Sequence, residues 1–350
     1  MDKQNVKGKI YKALFVRLIM VYIYRKIIAG KPYYYLRASE RKGKKMIVKD
    51  IAYLGNSIEE ARKSLEKKEY KEKIRKTYKT IHNFIESNHW LEKAQKLKLK
   101  KDIFLAGKLE EIEACKLHYN SVFKKSDETT KREILKNFVI EFAFNTTSIE
   151  GNTINLEQAR NLLEEGLTPK NKTLREIYDL QNTEKVFFEL INLKEEISHE
   201  LIIKIHDNLM ENIDARKGYR RTDVRVLRSN FDATPAPYIK TDMDLLLKLY
   251  NENKTKLHPL TLAVIFHHKF EKIHPFMDGN GRTGRMLLNY ILLKNNYPLL
   301  IVHKKTRTDY LEVLRKADKS GLNKTEQEDY FTLVQFVSDE LINGYWGIFL

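Results

Sequence analysis

Apolar residues recur at spacings of three and four through most of the chain beyond residue 56, with charged residues between them. That period predicts helices. The first such stretch, "IEEARKSLEKKEYKEKIRKTYKTIHNFI", is densely charged. It is followed by "REILKNFVIEFAFN", "NLEQARNLLEEG", "LREIYDLQNTEKVFFELINL", "SHELIIKIHDNLMENI", "MDLLLKLYNENK", "LTLAVIFHHKFEKI" and a closing "DYFTLVQFVSDELINGYW". Two stretches break the pattern. Residues 31–55, with Tyr-, Ile- and Val-rich runs on either side of "ERKGKK", predict a β-hairpin. Residues 218–240, "GYRRTDVRVLRSNFDATPAPYIK", predict a second, smaller hairpin with a proline-marked tip.

Residues 11–30 form an apolar stretch interrupted by Arg17 and Arg25, so the longest uncharged run is Leu18 to Tyr24. A membrane span needs about 20 apolar residues. The pattern therefore predicts neither a span nor export, and leaves open a buried helix or one lying on a membrane surface. The polar patch "KKSDETTKRE" at 124–133 suggests a boundary near 130, with Ser126 as helix N-cap.

Composition narrows the class. Of the 350 residues, 42% are hydrophobic and 11% aromatic, which excludes a wholly disordered chain. A single cysteine, Cys115, excludes an internal disulfide framework and suits a reducing, cytoplasmic setting. The formal charge of +17 is uneven: residues 1–130 carry 32 Lys and Arg against 16 Asp and Glu, and residues 131–350 carry 32 against 31. A basic block of this kind can attract nucleic acid, an anionic membrane or an acidic partner. Lysine richness without a recognisable binding motif favours the plainer reading, a solvated surface.

The chemistry concentrates in "HPFMDGNGRTGRMLLNYILL", residues 274–293. Pro275, Gly279 and Gly281 break one helix, and the next begins at once. Free backbone N–H groups at such a helix start cradle phosphate oxygens. Arg282 and Arg285, with Thr283 and Gly284 between them, add bidentate donors on its first turn. Asp278 beside the cradle suits a Mg²⁺ ligand, and His274 suits a general base. A Walker loop is excluded, because its Lys-Ser/Thr pair is missing. His267, His268 and His274 make a poor metal set, since neighbouring helical histidines diverge by about 100°.

The run resembles the Fic family signature HxFx(D/E)GNGRxxR, matched at His274, Phe276, Asp278, Gly279, Asn280, Gly281, Arg282 and Arg285. The likeness spans roughly 130 to 350. It implies a mainly α protein: a Fic-type helical core with a β-hairpin flap near 218–240, preceded by a basic N-terminal region with its own hairpin and helices. It further implies a protein adenylyltransferase that moves AMP from ATP to a Tyr, Thr or Ser hydroxyl of a target protein, itself included. In that reading His274 is the base, Asp278 holds Mg²⁺ and residues 279–285 bind the nucleotide. Phe276 anchors the loop. Val224, Arg225, Val226 and Leu227 would be the nucleotide-facing part of the flap, with Tyr310 and Asp318 near the base. Arg228 departs from the family, whose flaps often carry a small residue there.

"FNTTSIEGNTIN", residues 144–155, gains meaning only beside that signature. Thr146, Glu150 and Gly151 resemble the family's inhibitory motif [S/T]xxxE[G/N], on a helix expected near 134–150. Glu150 would then pair with Arg285 and place a negative charge where a phosphate must sit. Three other readings stay open: removal of AMP from a modified protein, transfer of UMP or phosphocholine, and a nucleic-acid-associated regulator with a vestigial site.

Overall fold

The computed structural model describes residues 19–42, 45–224 and 232–350. The chain divides into two compact units, Met1–His89 and Trp90–Leu350. No helix among the described residues is long and apolar enough to cross a membrane.

The first unit is a three-stranded antiparallel sheet, β1 (Ile19–Ile28), β2 (Lys31–Lys42) and β3 (Lys45–Gly55), in that spatial order. Val21, Ile23, Tyr34, Leu36 and Leu54 point from it into a core closed by Ile58, Ala61, Leu65, Ile74, Ile81 and Ile85. Those residues lie on α1 (Ile58–Leu65), α2 (Lys68–Ile74) and the first part of α3 (Tyr78–Ala94). β2 and β3 form the hairpin expected at 31–55. β1 corrects the helical reading of the stretch before it over residues 19–28; residues 11–18 lie outside the described residues. The reason is local: Ala29 and Gly30 both take positive φ, 48° and 76°. They thus make the two-residue turn whose twist matches paired strands. The continuous apolar run that follows Arg17 had hidden the alternation of buried Val21 and Ile23 with half-buried Tyr22 and Tyr24.

The second unit is helical. Its centre is the pair α10 (Pro259–Ile273) and α11 (Asn280–Lys294), whose residues are buried almost all round. A helix with no polar face must be enclosed by others. Around the pair pack α5 (Glu128–Ile149), α7 (Leu174–Asn192), α8 (His199–Leu209), α9 (Ile239–Asn253) and α13 (Gln327–Ile348), with α4 (Leu109–Ser121), α6 (Leu156–Glu165) and α12 (Arg307–Ala317) completing the shell. Charge changes near residue 130, whereas the compact units part at 89/90: Leu105, Leu109, Ile112, Cys115 and Tyr119 share one core with α10 and α11. Asp127, rather than Ser126, caps α5, its side chain accepting the Thr130 N–H at 2.9 Å. Ser126 instead donates to the Val122 carbonyl.

No strand occurs among the described residues of 218–240. Ala236–Tyr238 is a short 3₁₀ turn leading into α9, because Pro235 and Pro237 lack the N–H a ladder needs. The middle of the expected flap, including Arg225, Val226, Leu227 and Arg228, lies outside the described residues.

Candidate active site

The loop between α10 and α11 is held from several sides. His274 ends α10 in a left-handed conformation, φ 53° and ψ 58°, which a non-glycine residue adopts only when its surroundings enforce it. Arg220 supplies part of that enforcement. Its Nε donates to the His274 carbonyl at 2.8 Å and its backbone N–H to the Pro275 carbonyl at 2.9 Å. Its other two nitrogens donate to the carbonyls of Thr222 (2.9 Å) and Thr234. Phe276 is fully buried and stacks on His206, ring centres 3.6 Å apart. The Asn280 side chain accepts from the Phe276 N–H and donates to its carbonyl, both at 2.9 Å. Gly279 (φ 76°) must be glycine twice over, since a Cβ there would meet Met210 Sδ at 2.8 Å.

His274 is set up to accept a proton. Its Nδ1 lies 3.2 Å from the Glu271 carbonyl, an acceptor only, so Nδ1 carries the hydrogen and Nε2 keeps its lone pair. Burial holds its pKa below the ordinary imidazole value, only partly offset by that hydrogen bond. The ring lines a cavity of about 440 Å³ with Glu150, Glu271, Asp278, Gly279, Asn280, Gly281, Arg285, Tyr310 and Asp318. The N-terminus of α11 opens into this cavity, and its first N–H groups have no helical acceptor.

Glu150 sits on that helix start. Its carboxylate accepts from Arg285 Nη2 at 2.6 Å and lies so close to Gly281 that a Cβ there would come within 2.1 Å of Oε1. Arg285 is buried and also donates to Thr146, Nε to Oγ1 at 2.7 Å and Nη2 to the carbonyl at 3.0 Å. Glu150 is the C-cap of α5, and the chain leaves through Gly151 at φ 105°, a conformation glycine alone takes readily. Burial opposes the Arg285 charge, but Glu150, then Tyr310 and Glu271, raise its pKa overall. Glu271 is pushed up to about 8 by burial, with the Glu150 charge adding to the rise. Glu271 is therefore mostly protonated at neutral pH, and the carboxylate bonded to Arg285 is that of Glu150.

The remaining signature side chains divide between cavity and core. Burial alone would raise the Asp278 pKa, but Arg282 and Arg175 lower it, so the carboxylate is ionised. Arg175 pairs with it directly. Arg282 is buried, with Nη1 bonded to Asp179 and Nη2 3.6 Å from Asp278, and does not line the cavity. Thr283 is fully buried, and Gly284 leaves room for His267 and Glu271, which a Cβ would approach to 2.6 and 2.7 Å. Tyr310 donates or accepts across a 2.5 Å bond to His267 Nε2, and Asp318 accepts from His268 Nε2 at 3.1 Å. Val224 is half-buried and not among the residues lining the cavity.

Residues 196–292 match the model of the Fic/DOC family. The chain contains a Fic/DOC domain. Over 218 residues it is 31% identical to the protein adenylyltransferase Fic of Drosophila grimshawi, covering 59% of this chain and 42% of that one. Over 201 residues it is 29% identical to protein adenylyltransferase fic-1 of Caenorhabditis elegans, covering 55% and 39%. The chain thus spans about two fifths of the length of these curated relatives. Among solved structures, a Fic-domain signalling protein from Bacteroides thetaiotaomicron superposes with a TM-score of 0.61 over 67% of this chain and 94% of that one, at 24% identity. Fic-1 of C. elegans superposes at 0.58 over 69% and 71%, at 26% identity.

Several residues that build the Fic site carried no sequence signal. Arg220 sits in "GYRRTDV" beside a second arginine, with nothing to distinguish the two. Asp179 and Arg175 lie on α7 about a hundred residues before their partners, and a single sequence holds no record of such pairing. Glu271 reads as an ordinary charged position of a helix most of whose other residues turn out to be buried.

Proposed function

We propose that this Fic domain is an autoinhibited protein adenylyltransferase that uses ATP. The observation that carries the reading is a single cavity combining a neutral His274 with a free Nε2, the open N-terminus of α11, and an arginine already holding a carboxylate. His274 Nε2 takes the proton of a Tyr, Thr or Ser hydroxyl on the target protein. The oxygen attacks the α-phosphorus in line, the bond to the bridging oxygen breaks, and pyrophosphate leaves with its electron pair. The cradle at 279–281 supplies N–H donors to the charge that builds up, and Arg285 takes the γ-phosphate once Glu150 has left.

The donor set suits Mg²⁺, which is commonly held by one or two carboxylates together with substrate phosphates. Asp278 is ionised beside the cradle, where a Cβ on Gly281 would fill the space now taken by the Glu150 carboxylate. Bound there, the ion would neutralise phosphate charge; Arg175 would have to release Asp278 first.

Glu150 supplies the inhibition. It holds Arg285, a cation placed to orient the γ-phosphate, and puts a negative charge over Gly281, so bound ATP is disfavoured by repulsion as well as by loss of a partner.

The test uses the Glu150→Gly protein with Mg²⁺ and ATP labelled at either the α- or the γ-phosphate. Protein-bound label from the α position alone, abolished by adding His274→Ala, is the expected result. Label from the γ position, or none from either, overturns the reading; AMP released from a pre-modified protein and lost in Glu150→Gly would assign the reverse reaction.

A further inference from the structure

Among the described residues of the first unit, one face of the three-stranded sheet is buried, and the other carries half-buried Tyr24, Tyr33 and Tyr35 beside exposed Tyr53. Strand pairing places Tyr24 opposite Tyr35 and Tyr35 opposite Tyr53. A row of three tyrosines therefore crosses all three strands on the face turned away from Leu36 and Leu54. Tyr33 joins it: the Tyr53 ring lies 5.4 Å from that of Tyr35 and 6.3 Å from that of Tyr33. The Arg37 guanidinium covers Tyr24 at 3.5 Å and takes the carboxylate of Asp50 on the neighbouring strand. Tyr53 is 52% exposed. A core residue would not be left so, and soluble proteins seldom present a contiguous aromatic face without a use for it.

The charge around the face selects the partner. The described residues of the first unit, 19–42 and 45–89, carry 17 Lys and Arg against 8 Asp and Glu. Lys26 and Arg41 share the tyrosine face by strand alternation; of the acids near it, Asp50 is paired with Arg37, and Glu60, close to Tyr53, accepts from the Asn56 N–H. Aromatic rings stacked with a guanidinium plane, set in a basic surround, are what unpaired bases and their phosphates require. An acidic peptide would use the charge but leave the rings idle. A duplex would offer phosphates but keep its bases stacked on one another.

We propose that the outer face of the β1–β2–β3 sheet binds single-stranded nucleic acid, its bases stacking on the tyrosine row and its phosphates drawn by the lysines and arginines around it. This goes beyond the adenylyl-transfer reading and does not depend on it. Binding by the full chain is measured by fluorescence anisotropy with dye-labelled 15-nucleotide oligo-U and oligo-dT and with a duplex of equal length, from 50 to 200 mM salt. Either single strand should bind more tightly than the duplex, with affinity falling steeply as salt rises. Tyr53→Ala should weaken binding about tenfold, the loss expected for one stacked base. Tyr53→Phe should stay within about twofold of wild type, since the ring alone stacks. Because Tyr53 is largely exposed, the variants should melt with the wild type. Absent binding, equal binding of duplex and single strand, displacement by polyglutamate as readily as by oligo-U, or an unchanged affinity in Tyr53→Ala would each overturn the proposal.

Discussion

Arg220 provides a test of how the His274 loop is held. Its side chain is buried and its nitrogens bond to three carbonyls, those of His274, Thr222 and Thr234, with Asp223 at 3.9 Å as the nearest acid. Arg220→Lys keeps the charge but can reach roughly one of those carbonyls. Each hydrogen bond from a charged donor contributes about 1.5–3 kcal/mol, and part of that is recovered by water entering the vacated space. A loss of about 2–3 kcal/mol follows, or a fall in melting temperature of roughly 4–10 °C for a unit of this size. The effect on rate is the sharper readout. The His274 carbonyl loses its tether while the residue remains in a left-handed conformation, so the imidazole drifts from its line of attack; displacement by about 1 Å can cost on the order of 100-fold. In the Glu150→Gly background, Arg220→Lys should lower kcat for self-labelling at least tenfold while leaving KM for ATP within about twofold, because the cradle at 279–281 and Arg285 are untouched. Single-turnover labelling well below the melting temperature gives both numbers. A variant that labels at the parental rate, or loses rate only in step with the unfolded fraction, would refute a positioning role.

Two further outcomes follow from the same geometry. In the proposed mechanism His274 acts as the neutral ring, and burial lowers its pKa, so the acid limb of the pH–rate profile of Glu150→Gly should have its midpoint below the ordinary value of about 6.5; a midpoint at or above 6.5 would contradict the burial argument. Gly281→Ala places a methyl against Glu150 Oε1 and should destabilise the wild type by about 1–3 kcal/mol. In Glu150→Gly it should cost less than half as much; equal costs in a thermal double-mutant cycle would mean that Glu150 does not lie over Gly281 in solution.

The two halves of the site were legible in the sequence to different degrees. The run from His274 to Arg285 could be read because its chemistry is local: a helix breaker, two glycines and two arginines at fixed spacing define an anion cradle without help from the rest of the chain. Asn280 shows the limit, for its clamp on Phe276 looks on paper like part of a Gly-Asn-Gly turn. Glu150 could be placed only through the family resemblance, since nothing in "FNTTSIEGNTIN" itself points 135 residues ahead. Arg220, Asp179 and Arg175 were invisible for the same reason, as each acts through partners distant in sequence. In the first unit the error had another source. Ile19–Ile28 is apolar almost throughout, so strand and helix cannot be told apart by period, and the decisive turn lies in two small residues, Ala29 and Gly30, that carry no hydrophobic signal. The tyrosine row depends on register and could not be seen before the strands were paired.

The central claim is that Glu150 occupies the seat of a phosphate by holding Arg285. Isothermal titration with a Mg²⁺-bound, non-hydrolysable ATP analogue, comparing wild type, Glu150→Gln and Glu150→Gly, tests it most directly. A charge-assisted bond of 2.6 Å with its carboxylate partly exposed is worth about 1.5–3 kcal/mol, which corresponds to a gain in affinity of roughly 10- to 100-fold on its removal. Both variants should bind the analogue at least tenfold more tightly than wild type, and adding Arg285→Ala to Glu150→Gly should reverse the gain. Equal affinity in wild type and Glu150→Gly would contradict it.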